Sequence, residues 1–252
     1  VRAAPRDPGG SAVWIRSALY AGGSAVSIVV WALLSLLTAP LPLRLRYRFI
    51  TLWTRFNLRW LRWTCGLRHE VRGVENIPPG PAIVMSKHQS AWETMGLQLI
   101  FPPQTWVLKR GLLWVPFFGW ALALLRPVAI DRKAGRRAVE QLVEQGTRRL
   151  RAGLWLVIFP EGTRVAPGRT GRYRIGGAVL AQRSGYPIVP VAHNAGDYWP
   201  RRGFLKRPGV IQVVIGPPVD PHDKGVEEII AEVRDRIEGE MPAISPAYHR
   251  NT

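Results

Sequence analysis

The chain has 252 residues, 47% of them hydrophobic, which is enough for one sizeable α/β core and too rich in core formers for a disordered chain. Its 35 Lys and Arg against 17 Asp and Glu leave a formal charge of +18, which calls for phosphate-bearing partners, either nucleic acid or anionic lipid headgroups. A single cysteine, Cys65, excludes an intrachain disulfide and a thiolate zinc knuckle.

Residues 17–43 carry no charge, and Ile28-Val29-Val30-Trp31-Ala32-Leu33-Leu34 sits at the centre of the run. That length reaches the threshold for a bilayer span. Gly22-Gly23, Pro40 and Pro42 leave two forms open, a single span or a re-entrant helix hairpin. No small-x-small cleavage site ends the run, which argues against a signal peptide. Directly after it come Arg44, Arg46, Arg48, Arg55, Arg59 and Arg62, interleaved with Tyr47, Phe49, Trp53, Phe56, Trp60 and Trp63. Arginine mixed with aromatic rings is the composition of a helix at the headgroup level of an anionic leaflet. The positive charge predicts that the rest of the chain stays on the cytoplasmic side.

Beyond Gly66, short apolar runs alternate with longer amphipathic stretches. Strands are predicted at 70–74, 82–86, 105–108, 128–130, 154–159, 188–192 and 210–215, and helices at 92–100, 132–150, 173–184 and 226–240. The last helix is marked by apolar residues at Val226, Ile229, Ile230, Val233 and Ile237. Strands alternating with helices predict a largely parallel mixed α/β sheet flanked by helices, beside the N-terminal membrane-embedded helical segment. The expected boundary separates a membrane-binding segment, 1–66, from an α/β domain, 67–252. In such folds ligands bind beyond the carboxyl ends of the strands.

Two strand ends carry chemistry. The strand at 82–86 runs into Lys87-His88-Gln89-Ser90-Ala91-Trp92-Glu93, so an imidazole follows a strand end with an acid five residues on. A neutral imidazole takes a hydroxyl proton near pH 7 when a carboxylate fixes its tautomer. Alone, the spacing carries little weight, because Asp and Glu make up about an eighth of average chains. Ser90-Ala91-Trp92-Glu93 also has the form of a capping box, which competes for the same carboxylate. The strand at 154–159 delivers Pro160-Glu161-Gly162-Thr163-Arg164, then Arg169, Arg172 and Arg174. Here the glycine permits close backbone approach to an anion, and Arg164 can fork onto phosphate oxygens. The outer arginines read as a solvated basic loop. Gly-x4-Gly-Lys-Ser/Thr and Gly-x-Ser-x-Gly are both absent, and His69, His193, His222 and His249 lack metal-ligand spacing. His193 reads first as a hydrogen-bonded structural histidine. The run 112–125 reads equally as a core helix or as the wall of an acyl tunnel.

His88–Glu93, Val128-Ala129-Ile130-Asp131-Arg132, Phe159-Pro160-Glu161-Gly162-Thr163-Arg164 and Tyr186-Pro187-Ile188-Val189-Pro190-Val191 occur in this order. The order and spacing resemble the four blocks of the glycerolipid acyltransferase family, particularly its bacterial 1-acylglycerol-3-phosphate acyltransferases. The segment from Lys109 to Trp120 is similar to the one those enzymes carry between the first two blocks. The likeness covers roughly residues 71–218. One position departs: the family pattern is His-x4-Asp, and Glu93 is a methylene longer.

The resemblance implies acyl transfer from acyl-CoA or acyl-acyl carrier protein to the sn-2 hydroxyl of lysophosphatidic acid, without metal or other cofactor. In that reading His88 is the base and Glu93 its partner, and Lys109 or nearby amides hold the oxyanion. Arg164 with the Gly162 and Thr163 amides clamps phosphate, Arg132 is a second phosphate ligand, and Glu161 orients the glycerol or the loop. Expected partners are anionic membrane lipids, the lysolipid and the acyl carrier, not nucleic acid. The expected location is the cytoplasmic side of a bacterial inner membrane.

Overall fold

The structure, a computed structural model, describes residues 10–101, 103–131 and 134–249. The chain begins with two long helices, α1 (Gly10–Leu36) and α2 (Leu43–Cys65). The uncharged run is therefore not one helix. After Leu36 the backbone tightens into turns, with Thr38 Oγ1 bonded to the Ser35 carbonyl, and Pro42 precedes the first turn of α2. α1 starts earlier than its uncharged stretch and carries Arg16 exposed on its surface.

The two helices are zipped antiparallel along their length. Trp31 Nε1 donates to the Phe49 carbonyl (3.2 Å), Trp53 Nε1 to Ser27 Oγ (3.1 Å), and Ser24 Oγ to Asn57 Oδ1 (2.6 Å). Cys65 Sγ lies 3.5 Å from the Arg16 carbonyl. Gly23 makes room for the Trp60 ring of α2, since a Cβ there would stand 2.4 Å from Trp60 Nε1. These bonds make 10–65 a helix hairpin.

The remainder is a seven-stranded mixed sheet in the order β1 (Leu67–Arg72), β7 (Gly209–Ile215), β6 (Ile188–His193), β2 (Ile83–Ser86), β5 (Trp155–Ile158), β3 (Gln104–Lys109) and β4 (Val128–Ile130). Five strands from β6 to β4 run parallel, while β7 is antiparallel to β6 and parallel to β1. Alternation along the strands divides the core. Val84, Val157, Val189 and Val191 face one side with α2, α3 (Trp92–Ile100) and α7 (Ala195–Tyr198). Ile83, Met85, Leu156 and Ile158 face the other with α5 (Arg136–Arg151), α6 (Gly176–Ser184) and α8 (Val226–Ile244). Both faces are covered, as near-continuous apolar strands require. A short helix, α4 (Phe118–Ala123), packs back on α1.

All seven predicted strands form, and the helix ends move for identifiable reasons. α5 starts at Arg136, not 132, because Gly135 takes a positive φ of 50° that no α-helix interior accepts. α6 starts at Gly176, not 173, because Tyr173 is drawn onto Glu238 and the Arg174 amide bonds the Pro160 carbonyl. α8 runs past 240 and through Pro242, since Met241 and Ile244 continue its buried stripe.

Candidate active site

β2, β5, β3 and β4 are parallel neighbours, so their carboxyl ends line one edge of the sheet. Lys87 and His88 follow β2, Pro160 to Arg164 follow β5, Lys109 ends β3, and Asp131 follows β4. With strands about 4.8 Å apart, the β3 end lies roughly 10 Å from that of β2. Arg132 falls outside the described residues.

His88 and Glu93 meet. His88 Nδ1 is 2.8 Å from Glu93 Oε1, across the turn that opens α3. The same oxygen accepts from the Gln89 amide (3.1 Å) and the Ser90 amide (2.9 Å), and Ser90 Oγ accepts from the Trp92 amide (3.1 Å). The capping box and the imidazole pair are thus one device, and a single carboxylate serves both. The longer Glu side chain reaches because it is fully buried and tethered by those amides. Burial alone would raise the Glu93 pKa. The hydrogen bond from His88, the neighbouring imidazoles and the Ser90 amide outweigh it and hold the carboxyl below its usual range. An ionised carboxylate only accepts, so in the neutral imidazole it is Nδ1 that carries the proton and Nε2 the lone pair. Among the described residues Nε2 has no hydrogen-bond partner, and the ring lies stacked on Phe159 at 4.0 Å.

His193 stands behind this pair. It is fully buried and makes two hydrogen bonds, one from Nε2 to the Lys87 carbonyl (2.8 Å) and one at Nδ1 from the Ala195 amide (3.3 Å). Burial pushes its pKa down, and a neutral ring protonated at Nε2 satisfies both bonds. Its place is structural.

Lys87 is also fully buried, which its position in a polar motif does not announce. Its ammonium bonds Glu161 Oε1 and Glu238 Oε1, each at 2.7 Å, and the Arg169 carbonyl at 3.1 Å. Glu161 Oε2 accepts the His88 amide (2.9 Å), and Oε1 also accepts the Gly171 amide (3.1 Å). The His88 carbonyl in turn accepts the Val165 amide (2.8 Å). The Glu161 carboxylate is therefore committed to holding the loop after β5 against the His88 backbone. Glu238 on α8 secures the far side through Tyr173 Oη (2.8 Å), Thr170 Oγ1 (2.9 Å) and Tyr248 Oη (3.1 Å).

His88 opens into a cavity of about 680 Å³ whose walls come from α1 (Tyr20, Ala25, Ile28), α2 (Trp53, Asn57), β3 (Trp106, Leu108), α4 (Phe118, Leu122) and the loop after β5 (Phe159, Arg164). A neighbouring recess of about 80 Å³ shares Ile28, Trp53, Trp106, Phe118 and Leu122 and adds Ala121 and Leu125. The run 112–125 thus lines the cavity with one set of residues, while Trp114, Val115, Phe117 and Trp120 remain exposed. Arg164 is half-buried, and its Nε is enclosed with no hydrogen-bond partner among the described residues. Gly162 takes φ 68°, and a Cβ there would come within 2.8 Å of Arg174 Nε. The loop therefore requires glycine at that point. Thr163 and Lys109 are exposed and are not among the residues lining the cavity. Among the described residues no three of His, Cys, Asp and Glu gather into a metal-binding group.

Residues 68–194 match the Acyltransferase family. The chain is 49% identical over 242 residues to a 1-acyl-sn-glycerol-3-phosphate acyltransferase of Pseudomonas aeruginosa, covering 94% of each chain. It is 30% identical over 190 residues to the human 1-acyl-sn-glycerol-3-phosphate acyltransferase alpha, covering 74% of this chain and 67% of that one. Its fold is shared with the crystal structure of the 1-acyl-sn-glycerophosphate acyltransferase of Thermotoga maritima. That likeness has a TM-score of 0.75 at 22% identity, over 91% of this chain and 94% of the other.

Proposed function

Since the chain belongs to the acyltransferase family, we propose that it acylates the sn-2 hydroxyl of lysophosphatidic acid to give phosphatidic acid in phospholipid synthesis. The observation that carries this reading is His88, with Nδ1 held by Glu93 and Nε2 turned to a long apolar cavity that also exposes Arg164.

His88 Nε2 takes the hydroxyl proton as the alkoxide oxygen attacks the thioester carbonyl carbon. Glu93 stabilises the imidazolium that forms. The tetrahedral oxyanion is held by Lys109 or by amides of the adjoining loop. Collapse of that intermediate breaks the C–S bond, and the imidazolium proton goes to the departing thiolate. Arg164 with the Thr163 amide binds the phosphate, and Arg132 is a second ligand in this reading; the Gly162 amide, expected to join them, instead donates to the Phe159 carbonyl (2.9 Å). Acyl chains lie in the cavity between α1, α2 and α4. The donor is acyl-CoA or acyl-acyl carrier protein.

The hairpin makes the enzyme monotopic in this account. α1 is long and apolar enough to cross a membrane, with little of it buried in the protein. α2 carries six arginines and cannot enter a bilayer core, and α1 is bonded to it from end to end. The pair therefore lies in one leaflet, the cytoplasmic leaflet of a bacterial inner membrane, with its arginines among anionic headgroups.

The test is a panel on purified protein in anionic vesicles, pairing labelled acyl-CoA and acyl-acyl carrier protein with lysophosphatidic acid, lysophosphatidylglycerol and glycerol 3-phosphate. Labelled phosphatidic acid acylated at sn-2 is the expected product. Transfer to glycerol 3-phosphate in preference to the lysolipid would move the assignment to a different acceptor.

A further inference from the structure

Lys206 lies 186 positions along the chain from Tyr20, yet the two share a wall of the cavity that contains His88. Only 5% of Lys206 is exposed. Its ammonium sits in a cage of three rings, 5.3 Å from Tyr20, 5.0 Å from Trp199 and 5.1 Å from Phe204. One N–H donates to the Phe204 carbonyl (2.7 Å), and the backbone amide donates to Ser17 Oγ of α1 (2.9 Å). No carboxylate among the described residues pairs with it, whereas Lys87, also fully buried, is paired with two. Burial pushes its pKa down, so the ammonium lacks solvation that an anion would restore.

The cavity wall has no carboxylate; its charged or ionisable members are Tyr20, His88, Arg164 and Lys206. Arg164 also has an enclosed Nε without a partner among the described residues. Two cations lining one cavity that has no carboxylate fit an anion of more than one charge. A phosphate monoester carries about −1.5 to −2 at neutral pH, whereas a phosphodiester carries one charge. Arg164 alone matches the diester.

We infer that Lys206 is a further phosphate-binding residue, which with Arg164 selects a dianionic phosphate monoester acceptor over phosphodiester lysolipids. The inference rests on the lysolipid reading above and adds the residue that sets headgroup charge preference. The aromatic cage holds the ammonium at the cavity wall, and the Ser17 bond ties that position to the seating of α1.

The experiment compares Lys206→Met, which fills the cage without charge, with Lys206→Gln and the wild type in vesicles of a single neutral lipid. Acceptor KM and kcat are measured for lysophosphatidic acid and lysophosphatidylglycerol, with donor KM and thermal midpoint alongside. The expected result is a KM for lysophosphatidic acid raised tenfold or more. Donor KM and the rate with lysophosphatidylglycerol should stay within threefold, so the monoester preference collapses. An unchanged acceptor KM, an equal loss with both acceptors, or a rise confined to the donor KM overturns the inference. If Lys206→Met does not fold, the same criteria apply to Lys206→Gln. A wild type that transfers to neither lysolipid overturns the underlying acceptor assignment as well, whereas an active wild type with unmoved variants overturns only the role of Lys206.

Discussion

Glu93 performs two tasks that are separable by one atom change. As a capping group it needs only an acceptor for the Gln89 and Ser90 amides, and glutamine supplies one. As the partner of His88 it must carry charge. Glu93→Gln should therefore leave the fold intact, as judged by circular dichroism, while kcat falls roughly 100-fold or more. Near-normal turnover would reduce Glu93 to a cap.

The same residue gives a pH signature. Its folded pKa lies below the unfolded value, so its stabilising contribution is present above about pH 4.5 and is lost as pH falls through the depressed folded value. Urea midpoints of wild type and Glu93→Gln should differ most near pH 7 and converge in acid. His193 works in the same direction over a different window. Its imidazole is depressed by burial, so the unfolded chain binds a proton below about pH 6.5 while the folded one resists. Stability of the wild type should accordingly begin to decline there, and His193→Gln should flatten that part of the curve.

Among elements, the loop after β5 is held from two sides, by Lys87 beneath it and α8 beyond it. Removing one member of a buried ion pair costs about 3–5 kcal/mol, because the other charge remains without compensation. Lys87→Met should lose stability of that order. Adding Glu161→Gln should recover part of the loss in a double-mutant cycle, since the stranded carboxylate goes with it. Additive losses would mean that the two side chains do not act as a pair.

This network was not legible in the sequence. Its members lie 74 and 151 residues apart, and a lysine beside a histidine after a strand gives no sign of burial. Lys206 was hidden the same way, inside a basic stretch that reads as a solvated surface. The strands were legible, because their apolar runs are short and bounded by turns. The helix starts at 136 and 176 were not, since Gly135 and Tyr173 answer to backbone geometry and to a distant carboxylate. His88 and the loop from Glu161 to Arg164 were legible because their order along the chain already placed them at strand ends.

At the scale of the whole molecule, the hairpin is a wall of the cavity and, in the proposed function, also the membrane-binding element. Arg48, Arg55, Arg59 and Arg62 are exposed and recur at helical spacing along one face of α2, beside exposed Leu52, Phe56 and Trp63. Each arginine near an anionic surface contributes about 1 kcal/mol. Replacing Arg48, Arg55 and Arg59 together with glutamine should weaken binding to anionic vesicles by roughly 100-fold in a sedimentation assay at low salt. Binding to neutral vesicles should change little. Equal loss on both would assign the arginines to folding of the hairpin.

The catalytic core of the account rests on His88, whose imidazole joins the buried carboxylate to the cavity. The most direct measurement is transfer of a labelled acyl group from thioester to lysophosphatidic acid by wild type and His88→Ala on the same anionic vesicles. The prediction is a fall of about 10²–10⁴-fold in kcat, with vesicle binding and thermal midpoint unchanged. Transfer by His88→Ala at a rate close to wild type would contradict the account.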